Sequence, residues 1–413
     1  MRVEMDAVQE SRTLPRCATG LHLDVRCGVR APGDSEDSGI AVSDCADFFF
    51  DVAVVSRVHD ATGAWAAIRP ILGALARPGD CRIDQAAASI LAGHGLASDG
   101  LRLIESGATA SDDARLLLAG AAKRELMRSM TTASTATAVS ALLEAAGIPA
   151  LVYKGPPLAA QTTGDWRGRG SADVDVLVDV GSLARVHAAL SAGDLHRADG
   201  YSVEPNSLTR WLECERSYTG LGCTVDLHWR IDSTPGYCRL AFVTLWARRA
   251  RVEIGSGAVS TLDPLDAVVV TAAHGTREQW RSLRWAVDAC RQLSGMPPRE
   301  WTTTVERARA AGALKSLAVA LAVAELGGGV ELPARPGTWA RAVAERFLID
   351  ACAATANGTQ ANRVRAARRR ADRWRTADTP ATAIDGLLRA TGRQLVGDAH
   401  KSHLPLRGSR QIT

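Results

Sequence analysis

Residues 172–178 read ADVDVLV and residues 224–230 read TVDLHWR, and these two short segments constrain the fold most tightly. Side chains alternate across an extended strand, so Asp173 and Asp175 share one face while Val174 and Val176 share the other. In the second segment Asp226 and His228 share a face, and Val225, Leu227 and Trp229 pack on the opposite one. At a rise of ~3.3 Å per residue, the Cα atoms of Asp173 and Asp175 lie roughly 7 Å apart. Two carboxylates that close repel each other, and a bound divalent cation removes the repulsion. If the two strands are neighbours, Asp226 completes a three-carboxylate cluster. Magnesium takes about two carboxylates together with phosphate oxygens and water. Three carboxylates can hold two such ions, about 4 Å apart, around an in-line phosphoryl displacement. A D-x-D pair alone is weak, because half-exposed edge strands also carry Asp on their wet face.

The surrounding text supplies the context. Residues 148–155 (IPALVYKG) form a third apolar, β-branched run, and residues 180–191 between the acidic segments have helical spacing. Strand, helix and strand in alternation predict a mixed α/β core over 148–262. Residues 61–147 are Ala/Leu-rich with apolar positions at threes and fours, including Leu116, Leu117, Leu118, Ala121, Leu126 and Met127, and Gly147 stops the last helix. Residues 263–413 are predicted helical again, with helices over 265–274, 283–293, 301–325 and 339–354. They include a dense basic run, Arg363 to Arg375, read as a solvated face or a phosphate- or RNA-contacting one. Residues 1–60 are expected to be poorly ordered or weakly structured, although residues 48–55 (FFFDVAVV) read equally as a strand or as the start of a helix.

Two features flank the carboxylates. Lys154-Gly155 ends the third strand and leads into a helix, with Pro157 suited to the first turn. Backbone N–H groups there can receive phosphate oxygens, and Lys154 can supply a point charge. Pro156 and Pro157 carry no N–H, so the cradle is thin; an ordinary strand-end lysine is the alternative. The loop GDWRGRGSAD carries Arg167 and Arg169 just before Asp173 and is expected to be free to fold over a ligand. Arg169 can pair with phosphate, with a carboxylate of the cluster, or in a structural salt bridge.

Composition excludes several classes. The 413 residues are 46% hydrophobic and 23% charged with a net charge of +4, too weakly basic to imply nucleic acid by itself. Nine cysteines without a C-x-x-C pair fit neither a disulfide framework nor a zinc cluster, so reduced thiols in a cytoplasmic protein are expected. No apolar run approaches the ~18 residues that span a bilayer, and the N-terminus lacks the apolar stretch of a signal peptide.

Together these residues resemble the polymerase-β nucleotidyltransferase superfamily. More closely, VYKGPPL, RGSADVDVLV, TVDLHWR and HGTREQWRSLRWAVD are similar, in order, to the motifs of an uncharacterised nucleotidyltransferase family. The resemblance spans about residues 110–295. It implies an α+β fold, a small mixed sheet carrying a metal site and flanked by helical regions. It implies Mg²⁺ or Mn²⁺, an NTP substrate with ATP expected, and transfer of an NMP group to a hydroxyl with release of pyrophosphate. By motif position Asp173 and Asp175 would bind both metals. Asp226 would bind the catalytic one and help deprotonate the acceptor, and Gly155 would let the triphosphate approach. His228 reads as a hydrogen-bond partner of a neighbouring carboxylate, or as a group orienting Asp226 or touching substrate. Arg284 and Asp288 are spaced to pair; with His274 they suggest a polar cluster behind the site, or a nucleobase or acceptor contact. Related chains in bacterial natural-product clusters, including those for ribosomally made peptides, make a small molecule, peptide or protein the expected acceptor. A toxin-like enzyme acting on tRNA and a non-catalytic nucleotide-binding protein are the alternatives.

Overall fold

The computed structural model describes residues 52–76, 81–198, 207–333, 335–356, 372 and 374–403. Most of the basic run from Arg363 to Arg375, and residues 1–51, lie outside them. The order is α1 (Val52–Ala76), β1 (Arg82–Ile83), α2 (Gln85–Gly93), α3 (Ala97–Glu105), β2 (Thr109–Ala110), α4 (Asp112–Ala145), β3 (Ala150–Tyr153), α5 (Gly155–Thr163), β4 (Asp173–Val178), α6 (Leu183–Ala192) and β5 (His196–Arg197). There follow α7 (Ser207–Leu212), β6 (Glu215–Gly220), β7 (Cys223–His228), α8 (Phe242–Arg248), β8 (Ala250–Ile254), β9 (Gly257–Thr261), α9 (Pro264–Arg277), α10 (Leu283–Leu293), α11 (Pro298–Ala311), α12 (Leu314–Gly328), α13 (Thr338–Ala356) and α14 (Pro380–His403). The fold is mixed α and β, with one five-stranded sheet ordered β3-β4-β7-β6-β5. No helix of the described residues is long and apolar enough to cross a membrane, and no disulfide joins the described cysteines.

β4 and β7 are adjacent and parallel, while β3 and β6 run antiparallel on either side of them. The valines of β4 and Val225 and Leu227 of β7 pack with Val139 and Leu143 of α4 and Val186 and Leu190 of α6. The opposite face is apolar only toward β3, where Leu151, Tyr153 and Leu177 meet Ala267, Val270 and Ala273 of α9. Beyond that contact the front of β4, β7 and β6 stays polar. The sheet thus has one fully covered face and one partly covered face, which is what the alternating sequence allows.

β6 is absent from the sequence reading, and so is the β8–β9 hairpin. The tight turn after β6 explains the first. Leu221 and Gly222 both take positive φ (51° and 90°), the conformation of a two-residue hairpin. Thr135 of α4 donates to the Leu221 carbonyl at 2.7 Å and fixes the turn. The TGLGC text carried that signal.

The helices before and after the sheet share one apolar core. Ile68, Leu72, Leu91, Leu103 and Leu118 pack with Trp280, Leu293, Val323 and Phe347. α4 spans both cores, burying Leu118 and Ala121 in this one and Val139 and Leu143 against the sheet. Leu116 and Met127, expected on its packed face, are instead 73% and 61% exposed. Midway along α4 the buried Glu125 accepts the N–H groups of Ala97 and Ser98 at 2.9 and 3.0 Å. It caps α3, whose own N-cap residue Leu96 makes no side-chain bond. The single helix expected over 301–325 is two, because Gly312 takes the left-handed conformation between α11 and α12.

His94 ties α2 to the C-terminal helices. Its Nδ1 accepts the Leu283 N–H, so its Nε2–H donates to the Ala351 carbonyl. Burial pushes the imidazole from its ordinary 6.5 down to about 4; the Ala351 bond opposes this and Arg284 adds to it. Because the folded value is depressed, stability is complete above pH 6.5 and is lost as pH falls toward 4, by about 3 kcal/mol in all. Urea denaturation at pH 7 and pH 4.5 should show that loss in the wild type, and a smaller one in His94→Gln.

The turn between α9 and α10 places several cleft residues. Gln279 and Trp280 both take positive φ (58° and 49°), an uncommon state for non-glycine residues. The Trp280 side chain is fully buried and packs on Gly275, where a Cβ would lie 2.7 Å from the indole. Gly275→Ala is expected to destabilise the protein by roughly 1–3 kcal/mol through overpacking, read by equilibrium unfolding.

Candidate active site

Register brings the acidic residues of the two segments together. Asp175 pairs directly with Asp226 across the β4–β7 ladder, and Asp173 lies two residues earlier on the same face. Ser217 of β6 is opposite Asp226, and Tyr153 of β3 is opposite Asp175. This face forms one wall of a cleft of about 540 Å³. The remaining walls bring in His94, Arg128 of α4, His274 and Arg277 of α9, Glu278 and Arg281 of the turn that follows it, and Arg284 and Trp285 of α10.

Each carboxylate has its own partner. Asp173 accepts the Ser171 hydroxyl at 2.9 Å, and Asp226 accepts the Ser217 hydroxyl at 2.6 Å. Asp175 is buried and accepts from Lys154 Nζ at 2.6 Å and from His228 Nε2 at 3.0 Å. Burial acts to raise the Asp175 carboxyl, but Lys154 and His228 outweigh it and hold it well below the usual carboxylate range. The Asp226 carboxyl goes the other way. Burial raises it, the Ser217 bond opposes, and the Asp173 and Asp175 charges add to the rise. Negative charge is therefore concentrated at Asp226 without a cationic side chain bonded to it.

Lys154 caps α5 with φ 63° and ψ −162°, and Gly155 follows with φ 45°. Two successive positive φ values turn the chain sharply from β3 into α5, a strained arrangement of the kind found at binding sites. Pro156 and Pro157 occupy the first turn as expected. A Cβ at Gly155 would sit 3.4 Å from Ser171, the residue that holds Asp173.

The Arg residues differ from the reading by spacing. Arg169 is buried on Asp288, with Nε at 2.9 and 3.0 Å from the two carboxylate oxygens and Nη2 at 2.8 Å. Burial works against its charge, and Asp288 more than restores it. Asp288 therefore takes Arg169 rather than Arg284. Arg284 donates to the carbonyls of Gly170 and His94, and burial followed by Arg169 pushes its guanidinium down to about 10. The Gly-rich loop is thus pinned to α10 at two consecutive residues, not free to fold over a ligand. His274 meets the Trp285 ring edge-on at 4.8 Å and lies 3.1 Å from the Arg277 guanidinium. Burial first, and then Lys154 and Arg277, hold its imidazole well below its ordinary range, so it is neutral. Arg128 was missed in the sequence. It is exposed on α4 and makes no ion pair among the described residues, although it lines the cleft.

Among the described residues, the His, Cys and acidic groups whose ligand atoms all lie within 4.8 Å of one another are Cys214, Glu215 and His228. None of the three aspartates belongs to that group.

The family model described as uncharacterised nucleotidyltransferase matches residues 86–327. The chain belongs to that nucleotidyltransferase family. The match begins in α2 and ends in α12, so it takes in the sheet, the cleft and most helices that wall it. No curated protein and no solved structure matches the chain.

Proposed function

We propose that this nucleotidyltransferase is a metal-dependent enzyme of the polymerase-β type. It transfers an NMP group from an NTP, with ATP expected, to a hydroxyl of a small-molecule, peptide or protein acceptor. The observation that carries this reading is the direct pairing of Asp175 with Asp226, with Asp173 on the same face, inside a cleft rimmed by cationic side chains.

The donor set fits a hard divalent cation. Three carboxylates supply oxygen ligands of the kind Mg²⁺ and Mn²⁺ take. The raised Asp226 carboxyl marks uncompensated negative charge that such a cation would relieve. Asp173, Asp175 and Asp226 would hold it. When bound, it would neutralise phosphate charge and stabilise the oxygens of an in-line displacement.

The chain's own residues do the rest. Lys154, bonded to Asp175 at the strand end, sits where it can exchange that carboxylate for a triphosphate oxygen. Arg128 and Arg281 are exposed cations on the rim and would draw in the triphosphate tail. The sharp Lys154-Gly155 turn lets phosphate approach backbone without a side chain in the way. His228 orients Asp175 through its Nε2, and Asp226 would receive the proton of the acceptor hydroxyl. Neutral His274 and the Trp285 ring offer an uncharged wall for a base or acceptor.

The test is incubation of the protein with each α-³²P-labelled NTP, Mg²⁺ or Mn²⁺, and cell lysate, beside Asp173→Ala/Asp175→Ala. Label on a defined acceptor, absent with the double variant, supports the proposal. Label on tRNA would support the toxin-like alternative. If no nucleotide gives variant-sensitive label while Mg²⁺-dependent NTP binding persists, the chain is a nucleotide-binding protein.

A further inference from the structure

His228 has a second ring nitrogen, Nδ1, that the carboxylate site leaves unused. The Asp175 carboxylate is ionised and only accepts, so His228 donates to it from Nε2. Nδ1 is then the ring nitrogen left for a further partner. His228 is 3% exposed, and its Nδ1 makes no hydrogen bond. The Glu215 Oε2 atom lies 3.2 Å from Nδ1, but not in a direction that forms a hydrogen bond. Oε2 is itself an acceptor. The Cys214 thiol donates to the same oxygen at 3.7 Å.

Tertiary structure builds this arrangement in two steps. Glu215 and His228 are direct partners across the β6–β7 ladder, so their side chains share a face. The Trp229 N–H donates to the Cys214 carbonyl at 2.9 Å, which extends the ladder by one residue and brings Cys214 alongside. A buried ring nitrogen left without a hydrogen-bond partner, as Nδ1 is, is unfavourable. A cation bound between the three groups satisfies all of them.

We infer that Cys214, Glu215 and His228 form a second metal site, separate from the three aspartates, for a divalent ion of the zinc class. A mixed thiolate, imidazole and carboxylate set selects that class over magnesium, which prefers oxygen alone. Asp175, behind the imidazole, fixes its tautomer in the way that carboxylates support metal-bound histidines. Three protein ligands leave a fourth position open, and Glu215 and His228 both line the cleft, so that position faces substrate. Binding converts the Cys214 thiol to a metal-bound thiolate and releases its proton to solvent. The inference does not depend on nucleotidyl transfer.

The test uses the full chain, stripped with a chelator and titrated with ZnCl₂ against a chromogenic competitor. The expected result is one zinc per chain, with proton release on binding. Cys214→Ser and Glu215→Gln should each weaken binding at least ~10-fold. Cobalt substitution should give a thiolate charge-transfer band in the wild type that Cys214→Ser lacks. Asp226→Asn should keep its zinc. Glu215 is exposed, so Glu215→Gln remains informative should Cys214→Ser prove unstable. No bound zinc overturns the inference. So does zinc bound equally well by both variants, or zinc lost with Asp226→Asn alone, which would put it on the aspartates.

Discussion

Asp226→Asn is expected to lower nucleotidyl transfer by at least ~10³-fold while leaving the metal-free protein as stable as the wild type, or more so. The two effects have one cause. Burial and the Asp173 and Asp175 charges raise the Asp226 carboxyl. A folded value above the unfolded one means that the stability tied to this group is complete below the unfolded value and is lost as pH rises through the folded one. At neutral pH the ionised Asp226 therefore costs stability, and asparagine removes that cost while keeping an acceptor for Ser217. Thermal melts in EDTA at pH 7 should place the variant at or above the wild type. Added Mg²⁺ should raise the wild type more than the variant. A variant clearly less stable in EDTA would mean that Asp226 is held for the fold rather than for a cation. Asp175 should behave in the opposite way, because Asp175→Asn leaves the Lys154 and His228 donors facing a neutral group.

Arg169→Ala is expected to destabilise the protein by about 3–5 kcal/mol, the largest stability effect of any single substitution at the cleft. Both partners of the Arg169–Asp288 pair are buried, at 8% and 3% side-chain exposure. Removing one leaves an uncompensated charge with no access to water. The double replacement Arg169→Met/Asp288→Leu should recover most of the loss, because an apolar pair of similar volume avoids the desolvation penalty. Equilibrium denaturation of the three variants decides the matter. A change under ~1 kcal/mol in Arg169→Ala would show that the arginine is held loosely enough to serve a phosphate instead.

The candidate site was legible where local periodicity and topology coincide. Alternation in ADVDVLV and TVDLHWR put Asp173, Asp175, Asp226 and His228 on single faces, and the strands formed within a residue or two of the expected bounds. Lys154-Gly155 was found because glycine and proline mark a strand-to-helix turn locally. Helix α10 was read at its observed limits, 283–293, because its apolar face is strongly periodic. Partner choice was not legible in the same way. Arg284 and Asp288 have ideal spacing on one helix, yet each turns to the loop that carries Arg169 and Gly170. A buried cation prefers a bidentate carboxylate to a surface i,i+4 pair worth only tenths of a kcal/mol.

The sequence by itself determined which residues face together within one strand or one helix, because covalent geometry sets those periods of 2 and 3.6. That was enough for the mixed α and β class, for the acidic faces and for the strand-end lysine. Tertiary structure alone decided that β4 and β7 are neighbours in the register that sets Asp175 against Asp226. It also closed the N- and C-terminal helices around one core, sent Arg128 into the cleft from α4, and set Cys214 and Glu215 beside the free nitrogen of His228. Each of these contacts joins residues far apart in the chain or on separate strands. Their energy comes from burial and desolvation, which no local spacing records.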